Sequence, residues 1–322
     1  MSVVAGCSLF NGVLIAADCR ATIHVPNKQD IHTDNVLKVI AILPHTAIGF
    51  VGDIDIASFL LQQLLIKLPK HPRKDPIGLS CWIPRLFRYL FNRYTSINGD
   101  RTVVFMIGSI LRDRRNIVER KAVVELANHI FFGHSPIKRN WIPGFIVEFL
   151  KIPDKYKWIE IPNTCRNILY TLASPNFKII PYAPLQYTAI GLGASCLEQI
   201  QIYNDSIFAL DPGNSFVESS QFRQIIQNFI DEKGIRSVGG LYPVLKITGK
   251  GVEHLGMGME IPIGGTRIEL SFQSGRWIQR NVTDGKELPL LMPWEFMKIN
   301  AFKAQTFNDL GDAMKKFRGG DN

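Results

Sequence analysis

An α+β fold with two layers of sheet and helices packed outside them is predicted by three features of the sequence. Residues 3–51 are a succession of short apolar, β-branched runs broken by turn signals, two stretches with apolar residues at helical spacing follow, and residues 101–108 return to a strand pattern.

Each element has its own signature. The apolar run from Val3 to Ala17 is divided by Asn11-Gly12, a pair suited to the positive φ angles of a hairpin turn, so it predicts two buried strands. Thr46 to Val51 reads as a further buried strand. Residues 53–68 place Ile54, Ala57, Leu60, Leu61, Leu64 and Leu65 on one helical face, and the proline-rich stretch 69–76 reads as a break. Residues 79–94 predict a second helix whose stripe of Trp82, Ile83, Leu86, Phe87, Leu90 and Phe91 is read as core rather than as a ligand box. Further on, 194–210 and 216–232 predict another helix pair, the latter ended by Gly234. Strands are expected at 240–247 and 252–259, and a hairpin over 266–282 around Ser274-Gly275.

Two segments stand outside this pattern. Residues 109–167 are too long for a structureless loop in a compact domain, and they are read as an inserted subdomain with a helix at 114–132 and a Pro-punctuated aromatic stretch. That segment holds eleven Lys and Arg against six Asp and Glu, so it supplies a net +5 of the chain's +9. Residues 283–322 form a C-terminal extension carrying Trp294, Phe296 and an expected helix near 307–317. The main domain is thus read as 1–108 with 168–282.

Composition bounds the function classes. No run approaches the ~18 apolar residues of a membrane span. Val4-Ala5-Gly6-Cys7 has the look of a lipoprotein cleavage box, but no basic and then apolar stretch precedes it, so no secretory signal is read. The five cysteines lack Cys-x-x-Cys spacing, which points away from zinc or a disulfide framework and toward a reducing cytoplasm. His129 and His134 lack a third ligand at metal spacing, and no cofactor or metal is expected. The basic residues are dispersed and match no nucleic-acid-binding motif.

The residue that points to chemistry is Ser2. A small second residue lets the initiator Met be trimmed, and a serine with a free α-amine carries a nucleophile and a base on one residue. The amine has a reference pKa of about 7.7–8.0, so part of it is neutral near pH 7 and can accept the Oγ proton. Ser2 also heads a strand rather than a polar tail.

The run from Ser2 to Cys7, followed by Gly12-Val13-Leu14-Ile15-Ala16-Ala17-Asp18-Cys19-Arg20-Ala21-Thr22, resembles the N-terminal strand and hairpin of proteasome β-subunits and their bacterial HslV relatives. Asn35-Val36-Leu37-Lys38 is similar to the family's Asn-x-x-Lys, and the likeness continues ungapped to Gly52-Asp53. A weaker likeness runs from Leu169 to Leu172 and from Tyr187 to Ala194, and it fades near Thr283. The resemblance implies a four-layer αββα sandwich of the N-terminal nucleophile hydrolases, with a ring-forming homo-oligomer and a peptide or protein substrate. It also implies a site: Ser2 as nucleophile, Lys38 held by Asp18 beside it, Arg20 bracing that carboxylate, and the Gly52 N–H as oxyanion donor. It further implies a substrate side-chain pocket near Ala21, Thr22 and Phe50, residues that give no more than a hint of an apolar lining.

The chain departs from the family at three places. Leu192 stands where the Gly-x-Gly turn carries a serine, with Ser195 a few positions on. Ile235-Arg236-Ser237-Val238-Gly239-Gly240 lacks the aspartate of the family's Asp-x-x-Ser-Gly-Gly and shifts its serine by one, leaving Ser237 as a weak supporting candidate beside Ser195. The nucleophile is Ser rather than Thr, without the methyl that fixes its rotamer. Two function classes therefore stay open: an N-terminal-serine amide hydrolase or acyl-transfer enzyme, and a catalytically inactive proteasome-like scaffold or binding subunit.

Overall fold

A computed structural model of the chain describes residues 2–8, 12–23, 31–72, 74–99, 101–112, 165–182, 187–191, 238, 241–255, 261–263 and 266–299. The described residues form an α+β structure of antiparallel sheets and helices. In chain order they give β1 (Val3–Ser8), β2 (Val13–Ala17), β3 (Ala21–Ile23), β4 (Ile31–Thr33), β5 (Val39–Leu43), β6 (Thr46–Gly52), α1 (Ile54–Lys67) and α2 (Pro76–Asn98). Then come β7 (Val103–Arg112), β8 (Cys165–Ala173), β9 (Lys178–Pro181), β10 (Tyr187–Gly191), β11 (Val244–Thr248) and β12 (Gly251–His254). The last are β13 (Ile261–Ile263), β14 (Thr266–Gln273), β15 (Arg276–Asn281) and β16 (Glu287–Pro289).

Two five-stranded sheets, ordered β10-β1-β2-β11-β12 and β5-β6-β7-β8-β9, hold most of the core. A four-stranded sheet β13-β14-β15-β16 and the ribbon β3-β4 complete the pairing. Residues of β1 and β2 are buried along their whole length, which explains why those runs read as continuously apolar rather than alternating. Their inner side chains touch the second large sheet: a Cβ placed on Gly108 of β7 would stand 2.8 Å from both Ile15 Cδ1 and Val13 Cγ1. Only a glycine lets the strands come this close.

The helices start where side chains can satisfy free backbone N–H groups. Asp53 accepts from the N–H of Asp55 at 3.0 Å and of Ile56 at 3.3 Å, capping α1 where the sequence predicts its start. Helix α2 is longer than the predicted 79–94. Asp75 caps it through the Gly78 N–H at 2.9 Å, and Pro76 occupies the first turn, where a missing N–H costs nothing; what reads as a proline break is a helix start. The aromatic stripe of α2 is core: Phe87 lies 4.6 Å from Phe105 of β7, centroid to centroid, and Phe87 and Phe91 meet Phe177 edge-on.

Strands β7 and β8 run past the boundaries read from the sequence, pairing from Val104↔Ala173 to Arg112↔Cys165. The body of the insert, 113–164, lies outside the described residues, as do the predicted helices at 194–210, 216–232 and 307–317. Strands β11 and β12 correspond to the runs expected near 240–259, and the expected hairpin is β14 and β15, with Ser274 and Gly275 both at positive φ. The start of the extension packs on its own domain. Leu291 bridges Val36 in parallel, accepting from the Leu37 N–H at 2.8 Å and donating to the Asn35 carbonyl at 2.7 Å. Phe296 is buried with Ala21 and Val36. No helix among the described residues is long and apolar enough to cross a membrane.

Candidate active site

Four segments meet at Ser2. The β1–β2 register pairs Val4 with Ala17, which sets Asp18, one residue beyond β2, opposite Val3. The Val3 N–H donates to Asp18 Oδ1 at 2.8 Å, and the Asp18 N–H donates to the Val3 carbonyl at 3.1 Å. On the other side, β10 pairs Val3 with Gly191. Gly191 has a φ of 72°, and a Cβ there would stand 2.2 Å from the Ser2 carbonyl oxygen and 3.2 Å from Val51 Cγ1. This glycine therefore brings β10 and the end of β6 alongside Ser2, and its signal in the sequence was the Gly-x-Gly of Gly191 to Gly193.

Lys38, just before β5, reaches into this corner from the second sheet. Its backbone is fixed by the Phe50 N–H, which donates to the Lys38 carbonyl at 3.0 Å. Its Nζ donates to Ser2 Oγ at 2.8 Å, to Asp18 Oδ2 at 2.9 Å and to the Arg20 carbonyl oxygen. Three acceptors thus meet the three protons of an ammonium. All three side chains are inside the protein: Asp18 is 0%, Lys38 3% and Ser2 8% exposed.

Asp18 is an electrostatic compromise. Burial pushes its carboxyl above the ordinary carboxylate range, while the Lys38 ammonium and the N–H groups of Val3 and Arg20 pull it back. The neighbouring Cys19 is no rival nucleophile, because burial and then the Asp18 charge hold its thiol protonated well above the usual range.

Arg20 meets Asp18 through its backbone and not through its guanidinium. It braces Asp18 through its backbone N–H, at 3.2 Å from Oδ2, whereas its guanidinium forks onto Asp34, with Nε–Oδ1 2.6 Å and Nη2–Oδ2 2.8 Å. The Asp18 carboxylate already holds Lys38 and two backbone donors, so the guanidinium finds its bidentate partner in the half-exposed Asp34. Sequence reading passed over Asp34, although an acid four residues before Lys38 was visible.

Gly52 ends β6 next to Val51, with a φ of 108°, and a Cβ there would meet the Thr102 carbonyl oxygen at 2.3 Å. The backbone therefore requires glycine here irrespective of any oxyanion. Ser195 and Ser237 lie outside the described residues. Among the described residues no group of three or more His, Cys, Asp or Glu could hold a metal. A cavity of about 250 Å³ opens behind β5, walled by Val39, Leu245, His254, Phe272 and Trp277, and it includes none of Ser2, Asp18, Lys38 or Gly52.

No family model and no curated protein matches this chain.

The arrangement has a definite chemical capacity. Because Lys38 spends a proton on Ser2 Oγ, it stabilises negative charge developing there and leaves the Oγ proton for another acceptor. A free α-amine on Ser2 would be that acceptor, one residue's own bonds away.

Proposed function

We propose that this chain is an N-terminal-nucleophile amide hydrolase resembling proteasome β-subunits, acting on a peptide or protein. The observation that carries this reading is Lys38 Nζ placed 2.8 Å from Ser2 Oγ and 2.9 Å from a fully buried Asp18 carboxylate. The reading includes an αββα sandwich of four layers, and the two large sheets with α1 and α2 are consistent with three of them. It also includes a ring-forming assembly and a reducing cytoplasmic setting, which Cys7, Cys19 and Cys81 suit, each outside any disulfide.

The reaction begins once whatever precedes Ser2 is removed. Oγ bonds to the substrate carbonyl carbon as its proton passes to the α-amine, and Lys38 offsets the charge at the site. Collapse of the tetrahedral oxyanion breaks the C–N bond, and the leaving amine takes the proton back. Water then adds to the acyl ester, releasing the acid and restoring Oγ–H. An amine in place of water would give acyl transfer from the same intermediate. The exposed end of β6, at Gly52, is the candidate oxyanion donor.

The test is the intact mass of purified protein with and without a peptide epoxyketone, beside Ser2→Ala. Protein beginning at Ser2 that gains one inhibitor mass, with no gain in Ser2→Ala, supports the reading. Leu192 and the missing acidic residue near 235 favour the second reading, a proteasome-like scaffold without activity. A free Ser2 that never reacts would decide for that one.

A further inference from the structure

The Arg20 backbone contributes two contacts to the site. Its N–H donates to Asp18 Oδ2 at 3.2 Å, and its carbonyl accepts from Lys38 Nζ. Carboxylate and ammonium are both registered on this single residue, so anything that moves the Arg20 backbone moves both. Arg20 lies in the short link between β2 and β3, outside the strand ladders of the described residues. Its own side chain also anchors it. Two parallel bonds to Asp34 fix both the distance and the rotation of the guanidinium, and Nη1 lies 3.5 Å from the Val238 carbonyl.

Asp34 is itself on a firm mount. The next three residues are tied on both sides: the Val36 N–H donates to the Cys19 carbonyl at 3.1 Å, and Asn35 and Leu37 bond to the backbone of Leu291. The chain from Asp34 to Lys38 and the chain from Asp18 to Arg20 are therefore cross-linked three times: by the Asp34–Arg20 fork, by Val36 to Cys19, and by the Lys38 ammonium. The fork is the half-exposed member, with side chains 21% and 27% exposed, and a pair so placed adds little to stability. Its geometric effect is larger, because it closes a ring whose other end is the Lys38 contact to Ser2 Oγ.

We propose that Asp34 is a positioning residue for the Ser2 site: by clamping the Arg20 guanidinium it fixes the backbone that registers Asp18 and Lys38, and so sets the Lys38 Nζ to Ser2 Oγ contact without touching substrate. The inference rests on the proposed hydrolase reading for its kinetic consequence, though not for its structural one.

The experiment follows Asp34→Asn, Asp34→Glu and Arg20→Lys in the full-length chain. In Ser2→Ala protein carrying isotope-labelled lysine, the Lys38 side-chain resonance, assigned by its loss in Lys38→Met, reports the ammonium's surroundings without any catalysis. Asp34→Asn and Arg20→Lys are expected to shift this resonance alike, with no further shift when combined, and Asp34→Glu to restore it in part. In protein with a free Ser2, epoxyketone inactivation by the same single variants should show a maximal rate lowered about tenfold with half-saturation within about twofold, since a misplaced group costs rate rather than binding. An unmoved Lys38 resonance in a folded Asp34→Asn or Arg20→Lys protein overturns the proposal. Were Ser2 of the unaltered chain never to react, the hydrolase reading would fall, and the Lys38 resonance would still judge Asp34.

Discussion

Replacing Lys38 by Met removes the ammonium and keeps an unbranched stem of similar length in a site that is 3% exposed. Asp18, with no exposure, is then left with two neutral donors, the N–H groups of Val3 and Arg20. Removing one partner of a buried pair typically costs about 3–5 kcal/mol, and the two surviving donors place this case near the lower figure, about 3 kcal/mol at pH 8. The loss must depend on pH. Burial already raises the folded-state pKa of Asp18, and losing Lys38 removes the largest opposing influence, so the folded protein comes to prefer the protonated acid. A folded pKa raised above the unfolded value of about 3.9 gives a contribution fully present below that value and lost as pH climbs toward the folded pKa, at about 1.4 kcal/mol per unit. The variant should therefore approach the parent in stability at pH 5 and fall away from it by pH 8. Urea denaturation at several pH values measures this, and Asp18→Asn added to Lys38→Met should flatten the dependence. A constant difference between variant and parent from pH 5 to 8 would refute the claim that Asp18 is ionised against Lys38.

Three other outcomes follow from the same structure. Gly191→Ala sets a Cβ 2.2 Å from the Ser2 carbonyl oxygen at a positive φ, so it should lower stability by about 2–4 kcal/mol and abolish epoxyketone addition, read by thermal melting and intact mass. Native protein treated with iodoacetamide at pH 8 should be alkylated at the half-buried Cys81 before the fully buried Cys19, whose thiol stays protonated; peptide mapping checks the order. Phe296→Ala removes a side chain 5% exposed against Ala21 and Val36, and should cost about 3 kcal/mol in urea denaturation, showing that the extension belongs to the fold rather than to a detachable tail.

Much of this was legible because local chemistry and tertiary packing agree. The β1–β2 hairpin declared itself by its apolar runs and Asn11-Gly12, and α1 by a face of leucines behind an acidic cap. Helix α2 was read short because proline reads as a breaker until its place after Asp75 is seen. Lys38 and Asp18 could be tied to Ser2 only through a family likeness, since twenty residues and a change of sheet separate them, and no periodicity encodes such a meeting. That Arg20 meets Asp18 by its backbone while its guanidinium takes Asp34 is hidden for a related reason: sequence gives the charges, but not which acid still has a free edge. Asp34 can be read in the sequence, but its partner becomes evident only once Asp18 is seen to hold three donors already. Gly-x-Gly marks a turn at Gly191, but the need for glycine there depends on Ser2 lying beneath it.

The buried ion pair also bears on whether the site acts or merely holds the fold. Two charges removed from water are a poor way to stabilise a core, and apolar replacements of such pairs are often neutral or stabilising by about 1–4 kcal/mol. Here the pair is tied to backbone, so the fair replacement is Asp18→Asn with Lys38→Met, which keeps one acceptor for the Val3 N–H and forgoes the bonds made to the Arg20 N–H and the Arg20 carbonyl, about 1 kcal/mol each. That double variant should lie within about 2 kcal/mol of the parent at pH 8, above Lys38→Met alone, and should no longer take up the epoxyketone. A double variant that is folded and inert would mean that Lys38 and Asp18 are held at Ser2 for what they do to Oγ. If instead the double variant lost as much stability as the two single variants summed, the pair would be a structural cross-link between the sheets, and the scaffold reading would account for its presence without any reaction.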